Sequence, residues 1–127
     1  MKTILVDAVN TFVIKNEGIY KPMFELLERY PNRKIILTNA NDKQIEEFGL
    51  NKMPYEVFTL KHNPEKTDPV YFETMLKHFE LKSENVIYFE HNPDAVKSAK
   101  SVNITSYHYD AEKQDIDTLD TFLKNNI

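Results

Sequence analysis

Cysteine is absent from the 127 residues. That removes disulfide frameworks and thiolate chemistry, and it fits a reducing compartment. No apolar run approaches the length of a membrane span, and the opening MKTILVDAV is too short an apolar run for a signal peptide. There is no dense basic run, and a formal net charge of −4 gives no electrostatic case for nucleic-acid binding. Membrane and nucleic acid are therefore not expected as partners, and a soluble, cytoplasmic chain is. No repeat, low-complexity segment or linker divides the sequence, so a single domain over 1–127 is expected. At this size folding buries somewhat over ~60% of the unfolded chain's surface, so no metal or disulfide staple is required.

What is present is an alternation of two periodicities. Short β-rich runs predict strands at Thr3–Val9, Lys34–Thr38, Tyr55–Leu60, Asn85–Phe89 and Thr105–Tyr109. Met23, Phe24, Leu26, Leu27 and Tyr30 form a helical stripe, and Ile45, Phe48 and Gly49 predict a short helix ending at a glycine. A helix from Asp68 to about Phe79 has Asp68 as N-cap, Pro69 at its first position, and Phe72, Met75, Leu76 and Phe79 facing inward. Another begins near Pro93 with Val96, Ala99, Lys100 and Val102. The last, Asp115 to Lys124, uses Ile116, Leu119, Phe122 and Leu123. Strands alternating with helices predict an α/β, three-layer Rossmann-like domain whose five-stranded parallel sheet has helices on both faces. The successive apolar residues of ILV and IIL fit strands buried on both sides. Asn16-Glu17-Gly18 is a hairpin-turn signal, so Asn10–Tyr20 is expected to make a small excursion after the first strand.

Ligands of open parallel sheets bind beyond the carboxyl ends of the strands. That rule alone selects Asp7, then Thr38 and Asn39, then Glu90, His91 and Asn92, with Lys66 in the loop after the third strand. Each has an ordinary structural explanation as well. Asp7 can be a turn former, and Thr38 and Asn39 can cap the next helix. Lys66 can be a solvated lysine, Asp94 a first-turn acid favoured by the helix dipole, and His91 a polar strand-end residue. Their joint placement at the right strand ends makes coincidence a poor explanation.

The order of these residues resembles the haloacid dehalogenase (HAD) superfamily over nearly the whole chain. Asp7 with Thr11, preceded by ILV, is similar to the first motif, whose aspartate is the nucleophile. Leu37-Thr38-Asn39 is similar to the second, whose hydroxyl holds phosphoryl oxygens. Lys66-Thr67-Asp68-Pro69 with Phe72 resembles the segment whose lysine neutralises nucleophile and phosphate charge. Tyr88 to Asp94, with Val96, Ala99 and Lys100, resembles the fourth motif and its helix. The resemblance implies a HAD-like sheet order of 5-4-1-2-3 and makes Asn10–Tyr20 the squiggle and flap. It implies Asp7 and Lys66 as catalytic residues and Thr38, Asn39 and Lys66 as phosphate contacts. A cation would be held by Asp7, the Val9 backbone carbonyl, Glu90, His91 and Asp94. Too few residues separate Val9 from the second strand, or Leu60 from Lys66, for a cap domain. A phosphorylated substrate is expected, and without a cap a macromolecular one.

Two departures bear on activity. The acid two residues after the nucleophile is Val9 here, which neither protonates a leaving group nor activates water. Loss of a positioned general acid–base typically costs ~10²–10⁴-fold. The position that normally supplies a Mg²⁺-binding aspartate is His91. Mg²⁺ prefers oxygen ligands, whereas an imidazole beside carboxylates suits Mn²⁺, Zn²⁺ or Fe²⁺. The expected cofactor is thus Mg²⁺, one of those three ions if His91 is a ligand, or none. Metal-free dehalogenases carry Asp-Ala as in Asp7-Ala8, but their pocket depends on a cap. A receiver domain needs adjacent acids after the first strand. The remaining expectations are a slow or atypical phosphatase acting through Asp7, an inactive phosphate-binding or protein-interaction module, and a long-lived phosphoryl acceptor.

Overall fold

The computed structural model describes residues 1–127. The chain runs through β1 (Thr3–Asp7), a small hairpin of β2 (Val13–Ile14) and β3 (Gly18–Ile19), and α1 (Lys21–Glu28). It continues through β4 (Lys34–Thr38), α2 (Asp42–Glu47), β5 (Glu56–Thr59) and α3 (Pro69–His78). It closes with β6 (Val86–Glu90), α4 (Pro93–Ser101), β7 (Thr105–His108) and α5 (Ile116–Asn126).

Five strands form one sheet in the order β5-β4-β1-β6-β7, and every pairing is parallel. With the two hairpin strands set aside, this is the expected order of third, second, first, fourth and fifth strand. The register aligns Asp7 with Leu37 and Val6 with Phe89, which brings the ends of β4 and β6 to either side of Asp7.

Alternation along the central strands separates two cores, because successive side chains point to opposite faces. Ile4, Val6, Ile36, Ile87 and Phe89 pack under Met23, Leu26 and Leu27 of α1 and Leu119 and Leu123 of α5. Leu5, Ile35, Leu37 and Tyr88 pack under Tyr71, Phe72 and Met75 of α3 and Ala99 of α4. Central strands buried on both faces explain their unbroken apolar runs.

The first strand ends at Asp7 rather than at Val9. The Ala8 carbonyl accepts the amides of Thr11, Phe12 and Val13 at 3.2, 2.8 and 3.0 Å, so the backbone coils directly after the aspartate. Asn10 takes a positive φ of 71° in this coil. The hairpin follows with Asn16 and Gly18 at φ 65° and 82°, as its turn signal predicts. The third strand loses Tyr55 and Leu60 relative to the expectation, and the fourth shifts one residue to Val86–Glu90. The short helix α2 is capped by Asn41 in a reciprocal capping box with Gln44, and Gly49 closes it in the left-handed conformation. Thr38 and Asn39 therefore do not cap α2. Asp68 caps α3 by accepting from the Val70 amide, with Pro69 in the first turn.

Candidate functional site

The carboxyl ends of β1, β4 and β6 open into a cleft of about 250 Å³. Asp7, Val9, Thr38, Asn39, Lys66, Glu90 and His91 all line it, so residues from four separate segments meet. Asp94 does not join them. It sits exposed in the first turn of α4, where its amide donates to Asn92 Oδ1 at 2.9 Å.

Asp7 lies at the floor, 2% exposed. Its Oδ1 accepts from Lys66 Nζ at 2.7 Å. Its Oδ2 accepts from Thr11 Oγ1 at 2.7 Å, from the His91 amide at 3.3 Å and from His91 Nδ1 at 2.5 Å. Lys66 is buried too, and its ammonium also donates to Glu90 Oε1 at 2.7 Å and to the Leu37 carbonyl at 3.2 Å. Glu90 is held further by the Tyr88 hydroxyl on Oε1 and by the Asn92 amide on Oε2 at 3.1 Å.

The remaining strand ends arrange this centre. Asn39 Oδ1 accepts the Lys66 amide at 2.8 Å, which pins the lysine loop to the end of β4. Its amide nitrogen has no protein partner. The Thr38 carbonyl accepts Tyr71 Oη at 2.8 Å, tying β4 to α3, while Thr38 Oγ1 accepts only the Ala40 amide at 3.2 Å. The His91 carbonyl accepts from His108 Nε2 at 2.8 Å, so β7 fixes the other side of the histidine.

The charges are mutually dependent. Burial by itself raises the Asp7 carboxyl, but the Lys66 charge and the His91 hydrogen bond outweigh it and hold Asp7 well below the usual carboxylate range. Burial opposes the Lys66 ammonium, yet Asp7 and Glu90 raise it above its ordinary value. Hydrogen bonds to Asp7 and Glu90 push the His91 imidazole up to about 10 against partial desolvation. Burial and the neighbouring Glu90 charge keep the Tyr88 phenol protonated as a donor.

Asp7, Glu90 and His91 place one possible ligand atom each within 4.8 Å of one another. The 2.5 Å His91–Asp7 contact is a hydrogen bond from Nδ1 to an acceptor-only carboxylate, so an ion held by these three residues would have to displace that proton.

Several members of the site escaped the sequence reading. Tyr88 lies two residues before Glu90 on the same strand, and the period of two puts both side chains on one face, a usable signal. His62, Gln44 and Phe48 form the outer wall of the cleft. His62 bonds Glu65 through Nδ1 at 2.7 Å and Gln44 through Nε2 at 2.6 Å. Its place depends on the positive φ values of Lys61 and His62, for which the sequence gives no glycine or asparagine signal.

No family model matches the chain, and no curated protein is similar to it in sequence. Solved structures are similar in fold. The D,D-heptose 1,7-bisphosphate phosphatase of B. bronchiseptica, complexed with magnesium and phosphate, superposes with a TM-score of 0.72 at 11% identity, over 100% of both chains. A HAD family enzyme from Bacteroides thetaiotaomicron, also with magnesium and inorganic phosphate, gives 0.70 at 12% identity, over 87% of this chain and 95% of that one. A haloacid dehalogenase-like protein from Agrobacterium tumefaciens gives 0.62 at 14% identity, and the matched region spans 61% of its length. The fold is HAD-like. At these identities the likeness is one of fold, and the chemistry has to be argued from the cleft itself.

Proposed function

We infer that this chain is a HAD-like hydrolase of the phosphatase type, slow in turnover, in which Asp7 attacks the phosphorus of a phosphate ester. The observation that carries the reading is the buried Asp7–Lys66 contact of 2.7 Å at the floor of a cleft that Thr38 and Asn39 also line. A carboxylate held ionised is a competent nucleophile, and an adjacent ammonium offsets the negative charge that would otherwise repel a phosphate.

The two oxygens of Asp7 are not equivalent. Oδ2 carries three donors and Oδ1 only Lys66, so Oδ1 is the attacking atom. The Thr38 hydroxyl and the free amide nitrogen of Asn39 are the donors for phosphoryl oxygens, and the Lys66 ammonium beside them supplies positive charge and joins them by releasing one of its contacts to Asp7, Glu90 or Leu37. Attack forms the Oδ1–P bond and breaks the bond from phosphorus to the ester oxygen, which leaves with a proton from solvent because Val9 has none to give. Water then cleaves the acyl phosphate, returning the Asp7 carboxylate and inorganic phosphate. Without an acid–base at position 9 both halves lack help worth ~10²–10⁴-fold.

With no cap over the cleft, a large phosphorylated substrate that covers the site itself is the fitting class. A second reading is favoured by one observation, the apolar Val9 in the cleft wall: a module that binds phosphate and does not turn it over. An aryl phosphate assay, together with mass spectrometry of acid-quenched protein, separates the two. Turnover or a trapped phosphoryl adduct that disappears in Asp7→Asn supports the hydrolase. Phosphate binding with neither supports the module.

A further inference from the structure

We propose that the ester taken by this cleft is an aryl phosphate, whose leaving group is a phenol seated on the apolar side of the cleft. The inference rests on the hydrolase reading and deepens it by naming the class of leaving group.

The lining of the cleft supports it first. Asp7 attacks from the floor, and in phosphoryl transfer the attacking and leaving oxygens stand roughly in line with phosphorus. The leaving group therefore points toward the mouth, where Gln44, Phe48 and His62 form the outer wall. Val9, Ala40 and Phe48 all line the cleft and all pack into the same hydrophobic core, so the apolar lining is gathered on one side. Val9 and Phe48 are only half-buried, which leaves apolar surface open to a ligand. The polar neighbours are largely spoken for. His62 bonds Glu65 and Gln44 through its two ring nitrogens at 2.7 and 2.6 Å, and Gln44 Oε1 also accepts the Asn41 amide at 3.0 Å. Of the side-chain polar atoms of these two residues, only the Gln44 nitrogen is left. A leaving group rich in hydroxyls would lose its bonds to water here with little in exchange, whereas a phenyl ring gains by burial.

The chemistry supports it independently. As the bond from Asp7 Oδ1 to phosphorus forms, the leaving oxygen departs with the electron pair of its own bond to phosphorus. The apolar side has no acid to protonate it: Val9, Ala40 and Phe48 carry none, and both nitrogens of His62 are bonded elsewhere. Glu90 is held by Lys66 and by the Asn92 amide. A phenol, with a pKa of about 10, leaves as the phenolate and takes its proton from water afterwards. An aliphatic alcohol, whose pKa lies near the ~16 of water, depends far more on a proton donor. The missing acid and the apolar side thus select the same class of ester.

The test compares kcat/KM for two matched pairs of esters: phenyl phosphate against an alkyl phosphate, and a phosphotyrosyl peptide against its phosphoseryl counterpart. Wild type, Phe48→Ala and Val9→Asp are measured side by side. The expected result for the wild type is a preference of ~10²-fold or more for the phenolic ester in each pair. Better use of the peptide than of phenyl phosphate assigns the ester to a polypeptide, and the reverse assigns it to a small aryl phosphate; both support the class. Phe48→Ala should lower kcat/KM for the phenolic esters about tenfold and shrink the preference, because the ring loses its apolar seat. Val9→Asp should narrow it as well, since a proton donor helps the poorer leaving group more. Should Phe48→Ala fail to fold, Phe48→Leu, which keeps an apolar core contact and loses the flat face, takes its place. Equal kcat/KM for phenolic and alkyl esters overturns the inference and leaves the hydrolase reading standing. So does a preference that the Phe48 substitution leaves untouched. Turnover of neither class, with no phosphoryl adduct at Asp7, overturns both.

Discussion

Lys66 Nζ sits 2.7 Å from Asp7 Oδ1, across 59 positions of sequence, and both groups are buried. The same ammonium reaches Glu90 at 2.7 Å, so one lysine neutralises the ends of two neighbouring strands. Removing it leaves two buried carboxylates with a deficit of positive charge. Lys66→Ala is expected to lower unfolding free energy by about 3–5 kcal/mol, the usual result of breaking one side of a buried pair. Urea unfolding at neutral pH checks this. The acid limb adds a second readout. Asp7 is depressed in the folded state, so its contribution is present above the unfolded carboxylate pKa of about 4 and is lost as pH falls below it. In Lys66→Ala the folded-state pKa of Asp7 moves back up toward the unfolded value, so that acid loss becomes smaller and shallower.

His91 has the opposite sign. Its folded pKa of about 10 lies above the ordinary 6.5, so its contribution is full below about 6.5 and declines as pH rises toward 10. Wild-type stability is therefore expected to fall between pH 7 and 10. His91→Gln should flatten that part of the curve, as measured by denaturant midpoints across the range. An unchanged slope in the variant places the titration elsewhere.

Tyr88 holds Glu90 from beneath the site. Tyr88→Phe removes the hydroxyl on Oε1 and leaves that oxygen with Lys66 alone. A loss of about 1–3 kcal/mol is expected for a buried acceptor deprived of a donor. Chemical denaturation gives the value, and aryl phosphate turnover in the same variant should fall because Lys66 is held less firmly.

The fold was legible because its signals were local and consistent: unbroken apolar strands, a Pro69 start after the Asp68 cap, and Asn16-Glu17-Gly18 in a turn. Strand ends were less so. The chain coils at Ala8 because its carbonyl collects three amides, and nothing in the triplet Asp7-Ala8-Val9 announces that. At the site, Asp7, Thr38, Asn39, Lys66, Glu90 and His91 converge as the strand-end rule implies, whereas Asp94 stays outside on α4. His91, expected either as a polar strand-end residue or as a ligand, bonds Asp7 through Nδ1. That contact joins two side chains 84 positions apart, which no sequence pattern encodes.

Val9 lines the cleft, half-buried, and on the proposed reaction it stands in for an acid that would meet the leaving group. Val9→Asp is expected to raise aryl phosphate turnover, by up to ~10²-fold, the lower end of what a positioned acid–base supplies. A new acidic limb in the pH–rate profile should accompany the gain. If turnover stays flat, position 9 is not the limiting defect and His91 becomes the one to examine.

In the proposed reaction Asp7 Oδ1 accepts the phosphoryl group. Its most direct test is mass spectrometry of the protein quenched in acid during reaction with an aryl phosphate, comparing wild type with Asp7→Asn. A phosphoryl adduct mapped to Asp7 in the wild type and absent from the variant is the expected result. Equal turnover in both proteins, with no adduct at Asp7, contradicts it.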